Sequence, residues 1–401
     1  MEQHLGRHPR NQKRQRRAAL EEAVARVARA TCSPGPESGD LLVACHLFGF
    51  YPFAFAVGAS KGAVCWQFWR LGFVQWLIDF GVTVLEVIQR STEFLARKGV
   101  DSPRLQSELL LAHVLKLERM RLYLNFNQTL SSEDEEWMRE LVRRRGQREP
   151  LQQIVGTISF CGLEMEVNRH VLVPRPETEL LAEAGWGFLN GVAASRRAPA
   201  ASGQEEETGS AGAGSLTVLD VGTGSGCLAI ALAKRCEGLR VVATDVSQEA
   251  LDVAGRNAER HGLTQRITFL RGDGFAPLTP LTQAAGGRTS QATSAAFDLI
   301  VSNPPYIPRQ EIAGLQPEVK DFEPLAALDG GEDGLDFYRR FSAEAKDFLE
   351  PRGKIMLEFG DNQAEAVAEL FRNEKWIVEA VLADYTKRAR ILVAAKPDSV
   401  S

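Results

Sequence analysis

Leu216-Thr-Val-Leu-Asp220-Val-Gly222-Thr-Gly224-Ser-Gly226-Cys-Leu-Ala-Ile-Ala-Leu-Ala is the stretch that most limits what this chain can become. It opens on an apolar, β-branched run, turns on three alternate glycines and continues as an Ala- and Leu-rich helical pattern. Strand, glycine turn and helix in that order make the first unit of a parallel sheet with crossover helices. The glycines let the backbone approach a ligand closely, and the helix N-terminus behind them offers free N–H groups. Alone the pattern is weak, because such loops also serve as plain tight turns. A second strand, Arg240–Asp245, strengthens it. Its terminal Asp245 lies nineteen residues after Gly226, where a carboxylate can accept from both ribose hydroxyls of an adenosine-type cofactor. A nicotinamide dinucleotide and S-adenosylmethionine both suit such a site. The spacing G-x-G-x-G, with Asp220 just ahead of Val221-Gly222, favours S-adenosylmethionine. The candidate cofactor-binding residues here are Asp220, Gly222, Thr223, Gly224, Ser225, Gly226 and Asp245.

Phe297-Asp-Leu-Ile-Val-Ser302 reads as a further buried strand, and it runs directly into Asn303-Pro304-Pro305-Tyr306. Each proline fixes φ and lacks a donor, and the first pushes Asn303 out of the α region. The Asn303 side-chain oxygen and the Pro304 carbonyl are therefore left to accept hydrogen bonds from a guest. A planar NH2 group, with two donors in one plane, is the matching guest. Tyr306 offers a ring to stack on it. A bare N-P-P-Y is more often only a proline-rich loop, and the glycine loop upstream is what gives it weight. In a doubly wound sheet, the glycine loop, Asp245, Asp273 after a third strand (267–270) and Asn303 after a fourth all fall at carboxyl ends of strands. Ligands bind there.

This order resembles the class I methyltransferases, and N-P-P-Y looks like their motif for amino groups in planar systems. Three stretches carry the resemblance further: Val173-Pro-Arg175-Pro-Glu177-Thr-Glu179, Phe297 through Ile307, and Glu323-Pro-Leu-Ala-Ala-Leu-Asp-Gly-Gly-Glu-Asp-Gly-Leu-Asp-Phe-Tyr338. They are similar to the bacterial release factor glutamine methyltransferases, the PrmC/HemK family, and the likeness spans residues 80–396. It implies an α/β fold, a class I methyltransferase doubly wound (Rossmann-like) sheet with an N-terminal small helical-bundle domain and a β-hairpin linker. The implied divisions are an extension at 1–79, a helical substrate-recognition domain at 80–150, the linker at 151–175 and the S-adenosylmethionine-dependent methyltransferase domain at 176–396. Two low-complexity stretches, 193–215 and 279–296, read as surface insertions. The implied activity is N5-methylation of the glutamine in the Gly-Gly-Gln motif of class 1 peptide-chain release factors. Asn303, Pro304 and Tyr306 would be catalytic, and Asn303, Pro304, Pro305 and Tyr306 would hold the substrate. Asn303 would also border the cofactor. The segment Asp273-Gly274-Phe275 would lie against the adenine, although the family has a large aromatic where Gly274 stands. Arg175, Glu177 and Glu179 fall near the family's cofactor pocket. They suit equally well a capping and salt-bridge cluster opening a helix over 179–189.

A carboxamide nitrogen is a poor nucleophile, since its lone pair is delocalised into the carbonyl. Two acceptors holding its hydrogens would fix the plane and aim the nitrogen at a sulfonium methyl. Geometry of that kind can supply up to about 7–11 kcal/mol of a barrier. Positive charge develops on nitrogen as the methyl arrives, so the acceptor dipoles match the transition state better than the ground state. No base is needed before transfer, because the proton becomes acidic once nitrogen is alkylated. An Asn and a carbonyl then suffice in place of a His or Glu.

The remaining sequence narrows the alternatives. A net charge of −5 gives no footprint for tight binding to a phosphate backbone, so no direct nucleic-acid partner is expected. Six cysteines without a C-x-x-C, unpaired with the six scattered histidines, read as reduced thiols in a cytoplasmic protein without a metal site. Cys227 reads as a packing residue. Residues 1–40 begin with a basic run and end in a Pro/Gly/Ser-rich stretch, so disorder is expected. The uncharged stretch 41–60 has about the 20 residues of a membrane span, but it contains His46 and Pro52. An extra packed helix or a misassigned start is the preferred reading, and no membrane association is expected. From Val82 to Glu149 the pattern is helical, with Leu105, Leu109, Leu110, His113, Val114 and Leu117 forming one apolar face and a new helix starting at Ser131. His113 reads as a satisfied core histidine. Residues 152–171 read as the hairpin. Glu358 ends a strand over 354–359 as a carboxylate with a structural partner, and Asp384-Tyr385 with Arg388 and Arg390 forms a last hairpin. A monomer is expected. Three other activities remain: glutamine methylation of a ribosomal protein, N6-adenine methylation of nucleic acid, and an idle cofactor-binding scaffold.

Overall fold

Adjacent residues of the strand before the glycine loop bury on opposite faces. Val218 joins an apolar cluster with Leu228, Leu232 and Leu299, while Leu219 joins another with Phe341, Leu357 and Leu392. A strand covered on both sides needs helices above and below it. The computed structural model describes residues 81–197, 215–278 and 296–397, and these supply both layers. The extension at 1–79, including the uncharged stretch 41–60, lies outside the described residues, as do 198–214 and 279–295 of the two low-complexity stretches. Among the described residues no helix is long and apolar enough to cross a membrane.

The first described elements are α1 (Val84–Arg97), α2 (Pro103–Leu115), the single-turn α3 (Arg119–Leu122) and α4 (Ser132–Gly146). α1 buries Val84, Val87, Ile88, Ser91 and Leu95, and Thr83 caps it reciprocally with Glu86. α4 starts at Ser131, whose hydroxyl accepts from the Asp134 N–H, and it carries acids in its first turn and arginines in its last. α2 departs from expectation. Its buried face runs through Ser107, Glu108, Leu110, Leu111 and Val114, while Leu105 is 43% exposed. Glu108 turns the face, because its carboxylate accepts from Arg104, Arg119 and Tyr123 inside the bundle. His113 is only half-buried, edge-on to Trp137 at 5.4 Å, and burial lowers its pKa.

A helical turn, α5 (Leu151–Val155), precedes β1 (Thr157–Phe160) and β2 (Leu163–Glu166), so the hairpin is shorter than its expected span of 152–171. Its turn is Cys161-Gly162, both at positive φ, as a two-residue hairpin demands. α6 (Pro176–Arg197) is longer than the helix expected over 179–189, because Val192 and Ala193 carry the apolar face of Leu181, Ala182 and Leu189 onward against the same core. Residues 193–197 therefore belong to a helix, not to an insertion. There follow β3 (Thr217–Val221), α7 (Cys227–Arg235), β4 (Arg240–Asp245), α8 (Gln248–Arg260), β5 (Ile267–Arg271), β6 (Phe297–Ser302), α9 (Pro317–Lys320), α10 (Asp336–Glu344), β7 (Leu349–Glu358), α11 (Ala364–Asn373), β8 (Ile377–Ala383) and β9 (Ala389–Ala395).

These strands form one sheet in the order β5-β4-β3-β6-β7-β9-β8. All neighbours are parallel except at β9, which runs antiparallel to both β7 and β8. The chain steps outward from β3 through β4 to β5, then returns to β6 on the other side of β3. The strand order reverses there, and a crevice opens at the carboxyl ends of β3 and β6. Asp220 pairs with Val301 across these strands, so the glycine loop and Asn303-Pro-Pro-Tyr leave the sheet side by side.

Candidate active site

The glycine loop divides into two functions. A Cβ placed at Gly222 or Gly224 meets nothing within 4 Å, so that side of the loop is open to a guest. At Gly226, φ is +79° and a Cβ would lie 3.0 Å from the Ala254 Cβ, so this glycine lets α8 close on the turn. Thr223 and Ser225 are buried and leave chiefly their backbone to the cradle. Asp220 is sealed beneath it. Its Oδ2 accepts from the Thr223 hydroxyl at 2.6 Å and the Ala229 N–H at 3.2 Å, and Oδ1 has no partner. Burial pushes its carboxyl up to about 7. Of the acids expected near a cofactor, Asp220 thus shapes the loop from behind.

Asp245 lies at the mouth. Oδ2 accepts from the Gly224 N–H at 2.9 Å and Oδ1 from the Ser247 N–H at 2.9 Å, leaving each oxygen a further lone pair for a hydroxyl. Burial raises its pKa despite these bonds. Next to it Val246 is 49% exposed, an uncovered apolar side chain that sequence reading had passed over. On the neighbouring strand end, Asp273 accepts from Arg340 at 2.8 Å. Gly274 has φ +58°, and a Cβ there would meet Arg340 Nη2 at 2.1 Å. The guanidinium therefore fills the space that a side chain at this position would need. Phe275 is turned into the core, stacked on Phe348 at 5.0 Å.

Asn303 is held by one end of its amide. Nδ2 donates to the Thr178 hydroxyl at 2.9 Å, whereas Oδ1 is buried and without a partner. Pro304 is buried, and its carbonyl accepts no hydrogen bond from the described residues. Pro305 is half-buried. The Tyr306 phenol is pushed up to about 12, first by burial and then by the Glu358 charge.

The loop's backbone is fastened on three sides. The Ser302 hydroxyl donates to the Val221 carbonyl at 2.6 Å, joining the ends of β6 and β3. The Gln363 amide donates to the Tyr306 carbonyl at 2.9 Å. The Ile307 N–H donates to the Leu328 carbonyl and the Gly330 N–H to the Ile307 carbonyl, and a Cβ at Gly330 would come within 2.8 Å of the Tyr306 Cα. Only glycine permits that approach, which explains the Gly-Gly in the stretch after Asp329.

The segment opening α6 makes a different contact at nearly every residue. Arg175 donates to Glu323 at 2.7 and 2.9 Å, Thr178 receives Asn303, and Glu179 accepts from the Cys161 N–H at 2.7 Å. Arg175 thus follows the salt-bridge alternative, whereas Glu179 ties the start of α6 to the hairpin turn. Glu358 ends β7 as expected, and its partner is Thr178. Burial pushes its carboxyl up to about 7 against a hydrogen bond from Thr178, and its Oε2 has no partner at all. Thr178, Gln363 and Glu358 lie far from Asn303 in sequence, and only Glu358, as a carboxylate ending an apolar strand, carried a local signal. Cys227 is buried, which pushes its thiol up to about 12 and leaves it without nucleophilic character. Among the described residues no group of His, Cys, Asp or Glu is placed to hold a metal.

Residues 86–156 match the family model described as PrmC N-terminal domain, and residues 213–394 match a methyltransferase domain. A release factor glutamine methyltransferase of Geobacter sulfurreducens is 44% identical over 289 residues, covering 72% of this chain and 88% of that protein. The corresponding protein of Chlorobaculum tepidum is 41% identical over 308 residues, 77% of this chain and 95% of its own. That of Rhodopirellula baltica is 37% identical over 276 residues, 69% of this chain and 83% of its own.

Proposed function

The chain belongs to the release factor glutamine methyltransferase family, and from that premise we propose that it methylates N5 of the Gly-Gly-Gln glutamine of class 1 peptide-chain release factors. The observation that carries the reading is the buried, unpartnered Asn303 Oδ1 beside the free Pro304 carbonyl. A buried acceptor without a partner costs about 1–3 kcal/mol, and a carboxamide NH2 supplies the missing donors. One hydrogen goes to Asn303 Oδ1 and the other to the Pro304 carbonyl. Both acceptors sit on backbone fixed by prolines and by the Gln363 and Ser302 bonds, so the amide plane is set before reaction. Tyr306 offers its ring to that plane, and Pro305 completes the wall.

S-adenosylmethionine, when bound, supplies the electrophilic methyl. The residues present fit it: the open side of Gly222 and Gly224 admits a close approach, and Asp245 retains lone pairs for ribose hydroxyls. Val246, Asp273 and Gly274 would border the adenine end, and Asn303 would border the sulfonium end. As charge develops on the amide nitrogen, the two acceptors hold it more strongly. The proton is then lost to solvent. The helical part (80–150) docks the release factor, and the protein works in the cytoplasm as a monomer.

Purified protein with labelled S-adenosylmethionine is offered release factor, ribosomal subunits or DNA in separate pools. Label is expected in the release factor and absent from a release factor whose Gly-Gly-Gln glutamine is alanine. Label persisting in that variant, or appearing only with ribosomes or DNA, overturns the reading.

A further inference from the structure

Thr178 stands between two groups of the site that the mechanism above leaves unconnected. Its side chain is buried, 2% exposed, in the first turn of α6, and its hydroxyl receives Asn303 Nδ2 at 2.9 Å. On its other side lies the Glu358 carboxyl, 2% exposed at the end of β7. A hydroxyl has one proton and two lone pairs, so what it does toward Asn303 depends on where that proton goes.

An Asn amide is nearly symmetric in shape and can sit either way round. In one orientation Oδ1 faces the site and accepts from a substrate NH2. In the other, Nδ2 faces the site, and two NH2 groups confront each other with no acceptor between them. Asn303 therefore works in one orientation only.

We propose that Thr178 is a positioning residue: its hydroxyl donates to Glu358 and accepts from Asn303 Nδ2, locking the Asn303 amide with Oδ1 toward the substrate glutamine. Asn303 Nδ2 can only donate, so the Thr178 hydroxyl accepts there and its own proton is left for the hydrogen-bonded Glu358 carboxyl, one oxygen of which accepts in either protonation state. The groups that also face Glu358 are Glu177, Arg175, Arg390, Tyr306 and Tyr338. None of these bonds Asn303. The proline-stiffened backbone fixes where the Asn303 Cα lies, but it does not choose the χ2 orientation, and Thr178 does. The proposal rests on the glutamine methylation reading.

The test is Thr178→Val, which keeps the shape and removes the hydroxyl, compared with Thr178→Ser, which restores it. Steady-state methylation of the release factor should show kcat reduced about 10- to 100-fold in Thr178→Val, as misplacement of a reacting group produces. KM for release factor and the Kd for S-adenosylhomocysteine by calorimetry should stay within about twofold, and Thr178→Ser should recover most of kcat. In 15N-labelled protein, the Asn303 side-chain NH2 resonance, identified by its loss in Asn303→Asp, should move in Thr178→Val and return in Thr178→Ser. Thr178→Ala carries the same expectations if Thr178→Val does not fold. An unchanged kcat in Thr178→Val, an unmoved Asn303 resonance, or equal loss in the serine variant overturns the proposal. Absence of methylation by the parent enzyme would instead remove the functional reading, and the resonance would still decide the lock.

Discussion

Arg145, in the last turn of α4, reaches Glu318 on α9 at 2.7 Å, with the two side chains only 4% and 16% exposed. Arg148 takes the other oxygen of the same carboxylate at 2.6 Å. A single acid on the stretch after Asn303-Pro-Pro-Tyr is thus forked by two arginines of the helical part. Glu323, five residues on, is held by Arg175. The helical part is therefore fastened to the segment that backs the amide-holding loop.

Removing one partner of such a buried cluster leaves charge uncompensated, at a cost on the order of 3 kcal/mol. Glu318→Ala should lower the urea midpoint accordingly and raise KM for the release factor more than it lowers kcat. Burial works to raise the Glu318 pKa, but the Arg148 and Arg145 bonds outweigh it and the net shift is downward. Its stabilisation is accordingly present above the usual carboxylate range and lost as pH falls through the lowered native value. An unchanged midpoint in Glu318→Ala would show that the fork contributes nothing net.

Asn303→Ala should fold as the parent does, since its backbone is held by Ser302, Gln363 and the Gly330 segment. Its kcat should fall on the order of 100-fold or more, comparable with losing one preorganised group at a developing charge. Thermal denaturation and methylation rates measured together check both halves. Near-parent activity would exclude Asn303 from the chemistry.

Glu358 and Asp220 are both pushed up to about 7, by burial before any other cause. In the unfolded chain they ionise at about 4. Between about pH 4 and 7 the native state thus holds the more protons, and these groups withdraw stability as pH rises through that window. Glu358→Gln, which stays neutral, should gain on the parent by about 1 kcal/mol or more between pH 5 and 7 in urea titrations. A gap that is constant with pH would mean that Glu358 is ionised throughout.

Gly224→Ala and Gly226→Ala should fail differently. Both place a Cβ at positive φ, a backbone cost of about 1 kcal/mol. Only Gly226→Ala also drives a methyl toward Ala254 and Ile230, at 3.0 and 3.2 Å, so it should lower the melting temperature further. Gly224→Ala, facing open space, should chiefly weaken S-adenosylhomocysteine binding by calorimetry. The reverse pattern would mean that the open side is not the ligand side.

The sequence alone determined what depends on short-range chemistry. Alternating glycines need positive φ, two prolines deny Asn303 a helix or a ladder, and an apolar strand leading into Asp245 marks a strand end. These are constraints that a few neighbouring residues impose whatever surrounds them. Helix limits were less legible, as α6 shows, because packing against the sheet extends a helix that local composition marks only weakly. The buried face of α2 was misread for the same reason: Glu108 is inside only because Arg104, Arg119 and Tyr123 meet it there. What the tertiary structure decided is which distant groups converge. Return of the chain to β6 beside β3 brings the glycine loop and Asn303 to one crevice, and the start of α6 brings Thr178 to Asn303 across 125 residues. No local pattern encodes that bond, since a threonine after Pro176-Glu177 serves equally well as an ordinary first-turn residue. Only the fold turns it toward an amide that must not flip.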